Sequence, residues 1–402
     1  MIEYATLDHS RESWRLDETV WTRVRNVIAF LMLLGWAGCA AGYVQDSERF
    51  FRSYLVGFLD STLITLGCLF FVMVMYLTGS AWSVTVRRIF ETVMVTVPLA
   101  AVLVLPILGG IHHLYEWSHS DHVAHDKILL GKSSWLNPEA FTIRAFVYVL
   151  IWSVMAIRIY TNSTAQDKTK SIKHMDSTSA WSAPGLLLVF LSVSTAAFDW
   201  IMSLNPHWYS TIFGIYVYAG GALACIATVT VICLWLRQHG ILAQSINLEH
   251  YHDLGKWMFA LTVFWAYIAF SQYMLIWYAN LAEETVFYQK RLVGSWKLVS
   301  GLLLFGHFIV PFFFLIQRRV KRNLGALLAA ALWILTICYI DLYWLVMPNF
   351  DKEGVRLHWL DAVAWLAVAS TYAFGFWWQL RKHSLVPEGD ARLEQSLAHV
   401  NV

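Results

Sequence analysis

The sequence predicts an all-α polytopic membrane protein of ten spanning helices, with spans 2–5 and 6–9 forming two four-helix bundles and spans 1 and 10 flanking them. Three observations predict the ten spans, and a repeat between spans 5 and 9 predicts their division into two units. Of the 402 residues 58% are apolar and only 14% charged, with positive mean hydropathy, whereas a soluble chain carries about a quarter charged residues. The charges fall in clumps between long apolar runs, and ten of those runs are long enough to cross a hydrocarbon layer of roughly 30 Å as helices. Barrel strands would need only about 10 alternating residues each, and the runs here are continuous.

In chain order the spans fall near 23–45, 53–77, 88–111, 138–161, 182–204, 208–236, 255–279, 293–316, 325–346 and 358–381. Span 1 follows Arg23 and Arg25. Spans 4 and 5 are parted by the charged stretch DKTKSIKHMD, and spans 8 and 9 by QRRVKR. Span 10 ends at Arg381 and Lys382. This leaves a segment of residues 1–22, a membrane domain of 23–381 and a tail of 382–402. The first 20 residues are polar and mixed in charge, so no cleavable signal peptide is expected.

Lys and Arg give the orientation, because cytoplasmic segments carry their excess. With the N-terminus inside, 19 of the 29 fall in inside segments, among them Arg11, Arg87, Arg88 and the 318–322 clump. Nine, Arg49 among them, fall outside, and Arg144 sits within span 4. Both termini are therefore expected in the cytoplasm. Trp82, Trp117, Trp135, Trp181, Trp208, Trp257, Trp296 and Trp359 lie near span ends, where indoles favour the interface. Nothing resembles a basic stripe for nucleic acid. The five cysteines lie inside spans without any CxxC or CxxCH pair, which leaves disulfides, iron–sulfur clusters and c-type haem unsupported.

The charges left inside spans are the candidates for function, since a carboxylate at membrane depth costs several kcal/mol unless neutral, paired or wetted. Asp199 lies about 7 Å below the outer end of span 5 at 1.5 Å per residue. Asp60 is similarly placed in span 2, Asp341 near the outer end of span 9, and Asp361 at the opening of span 10. His112, His113 and His207 sit at the outer face. This clustering predicts one hydrated pocket opening outward. His307 stands apart near the middle of span 8, four residues before Pro311, which removes a backbone bond to residue 307. Glu91 is the one acid well inside a span on the cytoplasmic half. Asp60, Asp199, Asp341, His307, Glu91, His112, His113 and His207 are thus the proton-transfer candidates. The bland readings are interfacial placement for Asp361, loop-edge roles for His112 and His113, and structural ion pairs for the buried acids. His112, His113, His119, His122 and His125 share one loop, but their spacing is loose and no cysteine joins them, so no metal site is expected.

Span 5 (FDWIMSLNPHW) and span 9 (IDLYWLVMPNF) both place Asp seven residues before Pro at the outer exit. Four spans separate them, which predicts a duplication of units about 53–204 and 208–346 related by an axis along the membrane normal.

The stretches DWIMSLNPHWYSTIFGIYVYAGG and GKWMFALTVFWAYIAFSQYMLIWYANLAEET resemble the ActF-type membrane subunits of bacterial alternative complex III, within the NrfD and polysulfide-reductase membrane-subunit superfamily. The resemblance covers about residues 20–385. It implies ten helices in two four-helix bundles and residence in the bacterial cytoplasmic membrane. It also implies a quinol oxidoreductase complex with an ActC-like NrfD-type subunit, an iron–sulfur protein, multihaem cytochrome c subunits, small membrane anchors and, in some assemblies, a terminal oxidase. Electrons would pass from menaquinol or ubiquinol to a cytochrome c or other acceptor. The chain would carry no redox centre and no covalently bound or metal cofactor, haem and iron–sulfur clusters residing in partners, with quinone and lipids as candidate ligands. Two other readings stand beside this one, a proton-coupled secondary transporter and a purely structural scaffold. Against the transporter, no pair of spans shows matching Gly/Pro breaks at mid-depth.

Overall fold

The structure is a computed structural model and describes residues 14–401; Arg11 and the rest of 1–13 lie outside the described residues. No strand occurs among the described residues. Among the described residues ten helices are long and apolar enough to cross a membrane: α1 (Glu18–Gln45), α2 (Ser47–Leu77), α3 (Val84–Gly109), α4 (Pro138–Thr169), α5 (Ile172–Leu204), α6 (Phe213–Gln238), α7 (Leu248–Ala279), α8 (Trp296–Leu315), α9 (Leu324–Asn349) and α10 (Trp359–Leu380). Each matches a predicted span. Several ends differ: α5 and α7 begin before the expected 182 and 255, and α4 runs on past 161. A hydropathy reading marks only the apolar stretch, while the backbone ladder continues into polar residues until a cap stops it. Asn247 caps α7 in this way, accepting from the amides of Glu249 and His250.

Helices α2–α5 pack together, as do α6–α9. The two bundles meet chiefly along α2 and α6, with α5 against α6 and α9 against α2. Helix α1 lies along α10, which in turn covers α2 and α3. The centre of the molecule is therefore α2 and α6, whose most apolar stretches are 83% and 78% buried against 17% for α1. Two glycines allow their close crossing. A Cβ on Gly67 would come within 2.6 Å of the Cys225 Cβ, and one on Gly221 within 2.8 Å of the Leu63 Cβ. In hydrocarbon, packing of this kind is what holds helices together.

Two spans are irregular. Helix α3 is interrupted by a 3-10 turn at Val97–Leu99, which contains Pro98. Helix α8 becomes a π-helix over Leu304–Ile309, with the Val310 amide reaching the Phe305 carbonyl. The missing amide of Pro311 thus accompanies a widened turn carrying His307, and such turns often mark functional positions. The two breaks fall at different places in the two bundles.

The 382–402 segment is expected only as a tail, yet its described part is docked. Asp390 pairs with Arg87 at 2.7 Å, the Gly389 amide donates to Asp167, and Ser396 Oγ donates to the Trp82 carbonyl. The Leu385 amide donates to the Trp14 carbonyl, so both ends lie on one face of the bundle. The indoles expected at the interface divide: Trp181, Trp257 and Trp359 are exposed, whereas Trp117, Trp208 and Trp296 are buried within the protein.

Candidate functional site

The expected single outward pocket separates into distinct clusters, because each carboxylate is held by the helices next to it. Asp199 of α5 faces α4 and the loop before it. Arg144 Nε donates to Asp199 Oδ2 at 2.7 Å and Nη2 to Oδ1 at 3.0 Å. Trp135 Nε1 donates to Oδ1 at 2.9 Å and the Tyr148 hydroxyl to Oδ2 at 2.8 Å. The side chain is 1% exposed, so four donors and a permanent cation saturate this carboxylate. Arg144 is the residue sequence reasoning set aside. The signal was available: it lies six residues into α4, and Asp199 five residues from the end of antiparallel α5, so both sit at the same depth.

Glu91 is equally committed at the other face. It pairs with Arg87 at 3.1 Å and Arg88 at 3.4 Å, and accepts from the Tyr76 and Ser163 hydroxyls. Arg88 also meets Asp167. Asp361, expected as an interfacial acid, instead pairs with buried Arg49 at 2.6 Å and accepts from Ser53 Oγ and the His358 amide. Arg49 binds Asp351 as well. Arg49 is expected only among the outside charges, since nothing local marks it as buried.

The outer histidines lie at the surface. His112 Nδ1 sits 3.1 Å from Ser118 Oγ, and His113 stacks on Phe51. His207 Nε2 is 2.6 Å from Asp126 Oδ2, and this bond, with the Leu129 and Ile128 amides, holds the Asp126 carboxyl below its usual range. Lys132 donates to the Pro206 carbonyl and Trp208 to the Glu284 carbonyl, so the three connections on this face form one cap. Among the described residues no group of three or more His, Cys, Asp or Glu side chains is placed to hold a metal ion.

Asp60 and Asp341 come together with His307. Both aspartates line one void of about 10 Å³ between α2, α6 and α9, at the lower limit of what a single water needs. Gly220 borders it, and a Cβ there would lie 3.8 Å from Asp341 Oδ2. Trp365 Nε1 donates to Asp60 Oδ2 at 2.9 Å. Asp341 accepts from the Tyr216 hydroxyl at 2.6 Å and Trp265 Nε1 at 3.1 Å. His307 Nδ1 lies 4.0 Å from Asp341 Oδ2 and makes no hydrogen bond. Its ring stacks on Trp265 at 3.6 Å, and Nε2 is 3.5 Å from Cys338 Sγ. The asymmetry with Asp199 is chemical. All three aspartates accept from a tryptophan indole, and two of them from a tyrosine as well. Only Asp199 is matched by a guanidinium, which keeps its charge at every pH a protein meets. Asp60 and Asp341 have no Lys or Arg at bonding distance among the described residues; Asp341 feels the charge of buried Arg291, which bonds backbone carbonyls instead, so a proton is the counter-charge that can bond either acid.

A scan against protein-family models matches none, and a search of curated proteins returns no similar sequence. The protein is a multi-pass, all-α chain of membrane-protein architecture.

Proposed function

We propose that this chain is the ActF-like membrane subunit of a quinol oxidoreductase of the alternative complex III type. In this reading it lies in the bacterial cytoplasmic membrane with both ends in the cytoplasm, has no redox centre of its own, and moves protons linked to quinol turnover. The complex is supported by the sequence resemblance over 20–385, and the orientation by the Lys and Arg bias. The proton role rests on one observation: Asp60 and Asp341 border a common one-water void with His307 4.0 Å beyond.

The chemistry follows from what each group can hold. Asp60 takes up or releases a proton, a water in the void carries it to Asp341, and the unbonded Nδ1 of His307 is the next acceptor. Two protons shared among the three groups keep the cluster neutral overall, so no net charge is held in hydrocarbon. Tyr216 and Trp265 fix the Asp341 carboxylate and leave the His307 side open. Glu91 and Asp199 take no part; their ion pairs favour a scaffold role for those two residues alone.

The test is an assembled complex in proteoliposomes carrying Asp341→Asn. Proton release per quinol oxidised should fall while haem- and iron–sulfur-bearing partners still co-purify. Unchanged stoichiometry at wild-type turnover removes the relay. A chain that purifies without such partners removes the complex and favours a transporter.

A further inference from the structure

A cleft of about 970 Å³ opens between α2, α6, α9 and α10, with Asp60 in its wall. Along α10 its lining runs from His358 to Trp377, nineteen residues or roughly 28 Å of helix. That nearly equals the hydrocarbon thickness of about 30 Å, so the space fits an extended chain rather than a compact solute. Most of the wall is apolar, including Ile64, Val231, Leu335 and Phe376. The polar exceptions matter more. Asp60 accepts from Trp365 through Oδ2, while Oδ1 receives no hydrogen bond among the described residues. Ser61 beside it is 5% exposed and its hydroxyl has no partner. The Trp365 indole and Tyr339 ring, in edge-to-face contact at 6.3 Å, stand at the same depth. The threonine hydroxyls of the wall (Thr65, Thr96, Thr228, Thr336) are all bonded to their own helix backbone.

We propose that this cleft binds one long-chain amphiphile with an uncharged, hydroxyl-bearing head, the chain lying along α10 and the head hydroxyl donating to Asp60 beside Ser61. The charge of the head is set by the walls. Among the described residues no Lys or Arg lines the cleft, while Asp60 and the Arg49-paired Asp361 do, so a phosphate head would be desolvated against the Asp60 carboxylate. A hydroxyl satisfies the free carboxylate oxygen without bringing a second ion into low dielectric. Two membrane molecules share this chemistry, an isoprenoid quinol and a neutral glycerolipid such as diacylglycerol. The inference rests on the proposed quinol chemistry only if the first is found.

The experiment purifies the protein in its native assembly, washes it extensively in mild detergent, and extracts and quantifies quinones, neutral glycerolipids and phospholipids per chain. Ala369→Trp and Thr336→Trp fill the cleft from α10 and α9, and Asp60→Leu removes the head-group acceptor while leaving the space open. Leu298→Trp on the exposed face of α8 (70% exposed) is the control. Wild type and control should retain roughly one hydroxylated amphiphile per chain, as expected of a pocket this size, and the three cleft variants severalfold less. Whether the retained molecule is quinol or glycerolipid names the source. Retention of phospholipid alone, no co-purifying amphiphile, or equal retention in Ala369→Trp, Thr336→Trp and the control overturns the proposal. Retention is read separately from proton release, so the relay can fail while the site stands.

Discussion

Asp199→Asn and Asp341→Asn make the same chemical change at two buried aspartates, and the structure predicts unlike costs. At Asp199 the amide leaves the Arg144 guanidinium, 15% exposed, without a counter-charge in the membrane region. Breaking a buried pair from one side costs about 3–5 kcal/mol. At Asp341 an amide can still accept from Trp265 Nε1 through its oxygen and donate to the Tyr216 hydroxyl through its nitrogen. Buried Arg291 feels the Asp341 charge but keeps its bonds to the carbonyls of Phe287, Trp344 and Leu345, so the loss stays near that of one hydrogen bond, roughly 0.5–1.5 kcal/mol. Combining Arg144→Met with Asp199→Asn removes the charge with its partner and keeps an acceptor for Trp135 and Tyr148. That double variant should recover at least about 2 kcal/mol of the single loss. The assay is equilibrium unfolding in mixed micelles by a denaturing detergent, on all three variants and wild type. Equal losses for the two Asn variants, or a double variant no more stable than Asp199→Asn, would refute the claim that Arg144 compensates Asp199.

Three further outcomes are expected. His307→Leu should lower protons released per quinol in an assembled complex with turnover retained, and unchanged stoichiometry excludes His307 from the relay. Gly67→Val should destabilise the contact between α2 and α6 by about 1–3 kcal/mol through overpacking, because even a Cβ would meet Cys225 at 2.6 Å and the Gly221 carbonyl at 2.9 Å; a neutral result in the same unfolding assay would mean the helices do not cross this closely. The Asp390 carboxyl is opposed by burial, yet the Arg87 charge and the bonds from Arg392 hold it at about 2. A depressed carboxyl stabilises docking above its unfolded value of about 3.9 and loses that contribution as pH falls through the folded value. Pepsin cleavage of the 382–402 segment should therefore rise, relative to an unstructured peptide control, from about pH 4 to 2; constant relative protection across that window would rule out the Asp390–Arg87 link.

Ten spans, their order and the helical class were legible in the sequence, because hydrocarbon leaves a backbone almost no alternative to long apolar helices. The same physics flagged Asp60, Asp199, Asp341 and His307, since any ionisable group within an apolar run stands out. What each one faces depends on rotation about helix axes and on which helices adjoin, and a string of apolar residues encodes those weakly. Asp199 and Asp341 share a spacing to proline, yet one meets the Arg144 guanidinium and the other a stacked imidazole. Arg49 looked like an ordinary outer charge until Asp351 and Asp361, some three hundred residues on, closed around it. The void shared by Asp60 and Asp341 exists because Gly220 carries no side chain where α2, α6 and α9 converge. The sequence by itself determined which groups must be compensated in the membrane. The tertiary structure decided how, because, apart from Glu91 with Arg87 and Arg88 on its own helix, the counter-ion, water or ligand comes from a neighbouring helix or loop.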